Sequence, residues 1–295
     1  MQNQIIRTSV RSIYDMQKLR IQNGNRITAA FRYKLGLESS QAEDENEEAS
    51  NLLNELRAEF KRITDGVKRI TKNIKCDSPL ITTRGELALI ESYERQLEAE
   101  LIHEKAILDE LSRERIWTDY LQGIRGVGPL MAGVILSEID IHKCNSISAL
   151  WAYCGLDVVV STDEKTGELL EEGRSRKRHH LKPKTYINSS GETKETVGIT
   201  FNPFLKTKLV GVLGSVFIKL GGKYREIYDG YKHRLENHPK HKDKTKGHRH
   251  NMAVRYMIKE FLADLWTEWR TIEGLPVRNS YSEGKLGIVH SQKAA

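Results

Sequence analysis

The chain has 295 residues, of which 38% are hydrophobic and 29% charged, and its net charge at pH 7 is +7. This composition supports one or two globular cores, and the scarcity of proline (6 residues) favours long helices over a β-sandwich or barrel. No stretch approaches the ~18 uninterrupted apolar residues of a membrane span, and the polar N-terminus lacks the apolar core of a signal peptide. Three cysteines without zinc or disulfide spacing indicate a reducing, cytoplasmic environment.

The first region, residues 1–49, combines helices with an acidic linker. Apolar residues recur at roughly helical spacing between residues 4 and 35, with a joint expected at Gly24 and a C-terminal cap at Gly36. The acidic run from Gln41 to Ser50 predicts a solvated linker that leads into the next helix.

Residues 50–119 have the clearest periodicity. From Leu53 to Ile74 apolar residues alternate spacings of three and four, which is a heptad seam. Pro79 breaks it, and a second helix carries a weaker heptad that Glu94 and Glu104 interrupt. The weaker seam comprises Leu87, Ile90, Leu97, Leu101, Leu108 and Leu111. The pattern predicts an antiparallel coiled-coil hairpin that acts as a spacer or joins copies of the chain into a homo-oligomer. Half of an ordinary helical bundle is the alternative.

The sequence of residues 120–275 predicts a compact helical domain with a basic insertion at about 161–198. The segments that flank the insertion, DVVVS and TVGIT, are expected to form strands of a hairpin. Helices resume at about Pro203, the last one spans about Asn251 to Ile272, and the tail at 276–295 is expected to be disordered. The predicted fold class is therefore mainly α, with a coiled-coil hairpin followed by a domain that contains a helix-hairpin-helix.

The segment LQGIRGVGPLMAGVILSEI, from Leu121 to Ile139, carries that last prediction. Gly126-Val127-Gly128 forms a tight turn between two apolar helical stretches, and Pro129 stands where a helix starts. Glycines let the backbone approach a phosphate closely, and the free N–H groups of the turn and of the next helix bind it. A turn inside a bundle that touches no DNA is the alternative, and a nucleotide loop is disfavoured because no strand-helix-strand unit surrounds the glycines.

Positive charge is concentrated after this segment. Between Ser161 and Glu260 cations exceed acids by roughly ten, which is the electrostatic footprint expected for a phosphate-rich partner. The residues predicted to contact DNA are Arg125, Gly126, Val127, Gly128, Pro129, Arg174, Arg176, Lys177, Arg178, Lys182 and Lys184.

Three segments resemble one known group of proteins. The hairpin, the stretch ISALWAYCGL (147–156) and the stretch GITFNPFLK (198–206) are similar to the Piv/MooV invertases and the IS-one-ten type of insertion-sequence transposases. The ending KGHRHNMAVRYMIKEFLADLWTEWRTIEGLP (246–276) resembles transposase-annotated proteins that lack the N-terminal half. Including the coiled coil, the resemblance covers about residues 50–276.

The resemblance implies a DNA strand-transfer chemistry in two parts. Family members pair a RuvC-like domain, whose acidic residues bind divalent metal, with a C-terminal serine nucleophile, and in some members a structured RNA guides the reaction. No segment before Leu52 has the pattern of a β-strand that carries an aspartate. We therefore expect this chain to lack the metal-binding, RuvC-like half of the family's chemistry. It is expected to need no cofactor of its own, with Mg²⁺ only if a partner supplies the site.

Ser190, within NSSGE (188–192), falls in the interval where the family's nucleophile lies. Beside basic groups such as Arg176, Arg178 and Lys184 it could attack a phosphodiester; an ordinary Ser-Gly turn is the alternative. The seven histidines between His179 and His250 fit no standard metal site, so no metal ligands are predicted. The tyrosines from Tyr224 to Tyr231 are expected to pack in the core, with base stacking as the alternative.

Three functions follow as expectations. The first is a DNA-binding, transposase-like protein of a mobile element that lacks its own nuclease half. The second is a complete serine-dependent recombinase. The third is a structural coiled-coil protein that holds nucleic acid, including structured RNA.

Overall fold

The computed structural model describes residues 3–37, 45–65, 74–162, 167 and 169–277. The chain is mainly α-helical, as its composition and periodicity predict. It divides into two compact units, one of Ile5–Asp109 and one of Met1–Gln4 with Glu110–Ala295. Within the described ranges, no helix is both long and apolar enough to cross a membrane.

The first unit is built from α1 (Gln4–Leu35), α2 (Glu45–Thr64) and α3 (Arg84–Leu111). All three helices contribute to one core. Its buried members are Ile27, Phe31, Leu52, Leu56, Ile81, Leu87, Ile90 and Tyr93. Gly24 lies inside α1 and does not mark the predicted joint. A Cβ there would stand 3.1 Å from Cε2 of Tyr93, so the missing side chain lets α1 and α3 pack closely.

The C-terminal cap of α1 is confirmed. Gly36 has φ +68°, a conformation that costs glycine little. The N–H of Leu37 donates to the carbonyl of Arg32 at 3.0 Å, which is the long bond of a Schellman cap.

The heptad predictions need two corrections. Helix α2 ends at Thr64, and Ile74 lies in non-helical chain, while Val67 and Ile70 lie outside the described residues. On α3, Leu101 and Leu108 are exposed, at 54% and 46%, and Ile107 is buried instead.

The physical reason is that α3 packs against two helices. A face that serves two neighbours follows the helix's own 3.6-residue period and drifts away from a strict heptad. Polar positions on that face are paired. Glu100 accepts from Arg20 of α1 at 2.6 Å, and Glu94 pairs with Arg57 of α2. The two glutamates that interrupt the heptad pattern therefore differ in their surroundings. Glu94 forms an ion pair between α3 and α2, whereas Glu104 is exposed.

Within the described residues, the α-helices of the second unit are five short ones followed by two longer ones. Its helices are α4 (Arg115–Asp119), α5 (Pro129–Glu138), α6 (Ile147–Tyr153), α7 (Pro203–Lys206), α8 (Gly214–Leu220), α9 (Lys223–Asn237) and α10 (Lys246–Ile272). A π-helix, Thr207–Leu213, joins α7 to α8. The predicted return of helices at Pro203 is confirmed, and the last helix starts five residues earlier than predicted because Thr245 caps it through the N–H of His248.

Two antiparallel hairpins occupy the insertion. β1 (Val158–Thr162) pairs with β2 (Leu169–Gly173), and β3 (Lys182–Ile187) pairs with β4 (Thr193–Gly198). Both flanking segments are strands, as predicted, but they do not pair with each other. Each finds a partner close in sequence, which costs less loop-closure entropy than joining strands across the insertion.

Helix α10 forms the centre of this unit. Trp266 is 2% exposed, and its Nε1 donates to the carbonyl of Cys144 at 2.8 Å. Arg270 is also buried and donates to the carbonyls of Ile141 and Cys144. On the other side, the rings of Phe217 and Tyr224 stack at 4.6 Å and both meet Phe261 edge-on. This aromatic cluster supports the glycine turn described next.

Candidate nucleic-acid interface

The predicted glycine turn lies between a 3-10 helix, Leu121–Gly123, and α5. The first of the two helical stretches expected around the turn is therefore a three-residue 3-10 helix. The N–H of Val127 donates to the carbonyl of Ile124 at 3.0 Å, and the Val127 side chain is 5% exposed. Gly128 is the N-cap of α5 in an extended conformation, and Pro129 opens the helix. The turn is thus anchored by a buried valine while its last glycine faces solvent.

The two glycines have different physical roles. Gly126 has φ +102°, and a Cβ on it would lie 3.0 Å from Cγ1 of Val216 and 3.2 Å from Cδ1 of Phe217. Gly126 is therefore required by the turn and by close packing against α8. A Cβ on Gly128 would meet nothing within 4 Å. Only Gly128 leaves open space in which a phosphate could approach the backbone.

The start of α5 offers hydrogen-bond donors. The first N–H groups of any α-helix have no acceptor within the helix, and Gly128 supplies no side chain to cap them. Most of the helix is buried, which fixes the direction of these N–H groups. Arg125 is exposed on the turn and adds positive charge. A rigid, uncapped helix start beside a cation has the properties of a phosphate-binding element.

The other motif residues meet in one network around the buried Glu138. Asn202 Nδ2 donates to Glu138 Oε2 at 2.5 Å and to the Tyr153 hydroxyl at 3.1 Å, and the Tyr153 hydroxyl donates to the Glu138 carbonyl at 2.8 Å. Asn202 also caps α7. Gly155, at φ +66°, lies against Phe201, where a Cβ would be only 2.6 Å from Cδ2. The stretches 147–156 and 198–206 therefore hold the end of α5 in place.

The six lysines and arginines of the insertion that were predicted to contact DNA are not equivalent. Arg174 binds Asp157 through two bonds of 2.6 and 2.7 Å and also contacts Thr200. Lys177 pairs with Glu172 at 2.6 Å, and Lys184 Nζ donates to the carbonyl of Ile199. The remaining three, Arg176, Arg178 and Lys182, have exposed side chains that are available to a partner.

Ser190 lies in the turn between β3 and β4. Its N–H donates to Asn188 Oδ1 at 3.0 Å, and the N–H of Glu192 donates to the same oxygen. This is an Asx turn with an exposed serine, and its geometry is that of an ordinary β-hairpin end. The structure gives Ser190 no histidine neighbour among the described contacts.

A different serine has a histidine beside it, and sequence reasoning missed it. Ser175 Oγ lies 2.9 Å from Nδ1 of His180, and the Ser175 N–H donates to the same nitrogen at 3.0 Å. Because Nδ1 accepts, the ring proton sits on Nε2, which faces Glu172 Oε2 at 3.7 Å. The only sequence signal is a serine five residues before a histidine in GRSRKRHH, which is too common to predict a contact.

The histidines do not gather around a metal. Across the described ranges, no group of three or more His, Cys, Asp or Glu side chains is placed to hold a metal ion. His180 is buried, and His250 contacts the Tyr228 hydroxyl at 2.7 Å. Tyr224 and Tyr228 are buried, as expected for packing residues.

Comparisons with protein-family models, curated proteins and solved structures gave no match.

Proposed function

We propose that this chain binds nucleic acid. In this proposal the turn at 126–128 is the hairpin of a helix-hairpin-helix, and it holds a phosphate of the nucleic-acid backbone. The observation that carries the proposal is the exposed, uncapped start of α5 at Gly128, held rigidly by the buried Val127 and by Gly126. Contacts of this kind bind the backbone without reading sequence.

The charge distribution supports the same proposal. Arg125 on the turn and Arg176, Arg178 and Lys182 in the insertion are exposed cations. Lysine and arginine that neutralise phosphates release counterions, which makes such binding strong at low salt and weak at high salt. With the resemblance of its motifs, this favours a transposase-like role in mobile-element recombination, with duplex DNA as the principal partner.

The test is binding of a labelled DNA duplex, measured by fluorescence anisotropy over a series of salt concentrations. Gly128→Glu places a carboxylate at the phosphate position, whereas Gly128→Ala leaves it uncharged and supplies no oxygen that could cap the helix. We expect the glutamate variant to lose about tenfold in affinity on every duplex sequence, consistent with charge-assisted bonds of ~1.5–3 kcal/mol, and the alanine variant to stay near wild type. Equal affinity of a folded Gly128→Glu chain would refute the role of the turn. Tighter binding of structured RNA would change the partner but keep the site.

Serine-dependent strand transfer is the second candidate, and the Ser175–His180 contact favours it. A histidine that accepts a hydrogen bond from a serine hydroxyl can take its proton as the oxygen attacks phosphorus. As the Ser175 Oγ–P bond forms, the bond from phosphorus to one DNA sugar oxygen would break, and that oxygen would leave as a hydroxyl after receiving the proton held by His180. We expect no cleavage and no covalent protein–DNA product from this chain alone with Mg²⁺, because no carboxylate cluster on its described part would hold the ion.

Two variants separate the possible nucleophiles. A covalent product that disappears in Ser175→Ala but persists in Ser190→Ala would promote the second candidate and identify its nucleophile. The reverse pattern would favour Ser190, which the family resemblance implies.

We also propose that the first unit joins copies of the chain. Leu101, Ile102 and Leu108 are exposed on α3, at 54%, 66% and 46%. Apolar side chains grouped on one helix are typical of an interface. Analytical ultracentrifugation tests this by measuring the mass in solution. We expect the wild type to have a mass greater than one chain, and the Leu101→Glu and Leu108→Glu variants to have the mass of a single chain. A wild type of single-chain mass would refute it.

A further inference from the structure

A cavity of about 660 Å³ opens on the second unit, away from the residues assigned above to the hairpin. The β1–β2 hairpin, α9, the segment before α10 and α10 itself form its walls. Its lining residues include Tyr231, His241, Lys244, Arg255, Tyr256 and Lys259. A volume of this order is sufficient for a ligand of nucleotide size, since small-molecule sites typically measure ~300–1,000 Å³.

Positive charge in this cavity is partly buried. Arg255 donates through Nη2 to the carbonyls of Gly155 and Asp157, and its guanidinium lies against Gly173, where a Cβ would come within 2.7 Å. Lys259 Nζ lies 4.1 Å from the centre of the Trp151 ring. Burial lowers the pKa of both Arg255 and Lys259, so keeping these groups charged costs free energy in the absence of an anion.

The neighbouring acids compensate this charge only in part. The charge of Asp157 acts on Arg255 and that of Glu260 on Lys259, yet the pKa of both cations stays lowered by burial. Asp157 is also engaged by Arg174, and Glu171 is the one carboxylate among the described lining residues. Lys206 lies near enough to Arg255 that burial, and then the charge of Arg255, lowers its pKa to about 8. Within the described part of the chain, Nδ1 of His241 is buried without a hydrogen-bond partner. An anionic group would satisfy several of these cations at once.

One wall of the cavity is aromatic. The rings of Tyr231 and Tyr256 stack at 4.0 Å with an angle of 9° between their planes. Each tyrosine covers one face of the other, so a ligand ring would lie against an outer face or an edge of the pair. An aromatic pair beside partly buried cations matches a ligand that has both a planar ring and a phosphate, because rings pack on aromatic side chains and phosphates pair with lysine and arginine.

We propose that this cavity binds a nucleotide, with its phosphate near Lys244, Arg255 and Lys259 and its base against the tyrosine pair. The nucleotide comes either free from solution or from the end of a nucleic-acid strand, and both present the same chemistry. The site does not depend on the hairpin, because the two share no residue.

The experiment is calorimetric titration of the full chain with deoxyadenosine monophosphate and with deoxyadenosine. We expect saturable binding of the monophosphate and binding at least about tenfold weaker without the phosphate. Lys244→Gln and Lys259→Gln are each expected to weaken monophosphate binding about tenfold, while Lys143→Gln, an exposed lysine outside the cavity with the same charge change, binds like wild type. Lys244 lies on a loop segment, so its variant tests the site even if substitution of Lys259 prevents folding.

Short single strands with and without a 5′-phosphate distinguish the two sources. Preference for the phosphorylated strand over the free monophosphate assigns the cavity to strand ends, and the opposite order assigns it to free nucleotide; either order supports a nucleotide site. The Gly128→Glu chain is expected to keep monophosphate binding, so that failure of the hairpin proposal is separable from failure here. The proposal is overturned if neither the monophosphate nor the phosphorylated strand binds, or if the Lys244 and Lys259 variants bind both as wild type does.

Discussion

Serine substitution at the two turn glycines should have opposite effects on stability. In Gly126→Ser the new residue must adopt φ +102°, and its Cβ would come within 3.0 Å of Val216 and 3.2 Å of Phe217. The left-handed conformation alone costs ~1–2 kcal/mol, and crowding in a packed core adds typically ~1–3 kcal/mol. We therefore expect the free energy of unfolding to fall by about 2–4 kcal/mol.

Gly128→Ser is the matched control. Its φ of −85° and ψ of 174° suit any residue, and the surrounding space is open. Serine at the N-cap stabilises a helix by a few tenths of a kcal/mol relative to glycine, so the free energy of unfolding should rise slightly. Urea unfolding followed by circular dichroism measures both. Equal stability of the two variants would refute the division of roles between the glycines.

Three further predictions concern the second unit and the three cysteines of the chain. Asn202→Ala removes a donor from the buried Glu138 carboxylate and a helix cap, so it should cost ~2–4 kcal/mol in chemical unfolding; a loss below ~1 kcal/mol would show that the network is not structural. Only Cys76 should react rapidly with a thiol reagent in the native protein, because Cys144 and Cys154 are buried and burial raises the pKa of both thiols, that of Cys144 to about 11; three fast thiols without denaturant would contradict the packing. For Lys206 the folded pKa of about 8 lies below the unfolded value of 10.5, so the unfolded chain holds more protons between these pH values and stability should rise across them. Unfolding at pH 8 and pH 10 should show a rise in wild type that is smaller in Lys206→Met, and identical rises would contradict the burial of this amine.

Local signals in the sequence predicted more of the fold than long-range ones. The cap at Gly36 and the helix start at Pro129 follow from the conformations that glycine and proline allow, and both are found where expected. The heptad on α3 was wrong at Leu101 and Leu108, because a sequence pattern does not reveal that α3 packs against two helices. For the same reason the sequence located both flanking strands of the insertion but not their partners.

The candidate site shows the same limit. The turn glycines were recognisable, but their separate roles depend on Val216 and Phe217, which lie some 90 residues further along the chain. The contact of Ser175 with His180 and the partly buried cations near Arg255 depend on chain reversals and packing that leave no regular spacing in the sequence. Cationic residues predicted as one DNA-binding set divide in the structure into paired ones, such as Arg174, and exposed ones, such as Arg176.

The most direct test of the central claim is nuclear magnetic resonance of the chain labelled with ¹⁵N-glycine and titrated with a DNA duplex at low salt. If the turn holds a phosphate, the Gly128 amide should be among the most strongly shifted signals and should return to its free position as salt is added. Gly85, in the first unit, serves as the reference signal and should not move. Duplex binding that leaves the Gly128 signal in place, while other glycines shift, would contradict the assignment of this turn as the phosphate-binding element.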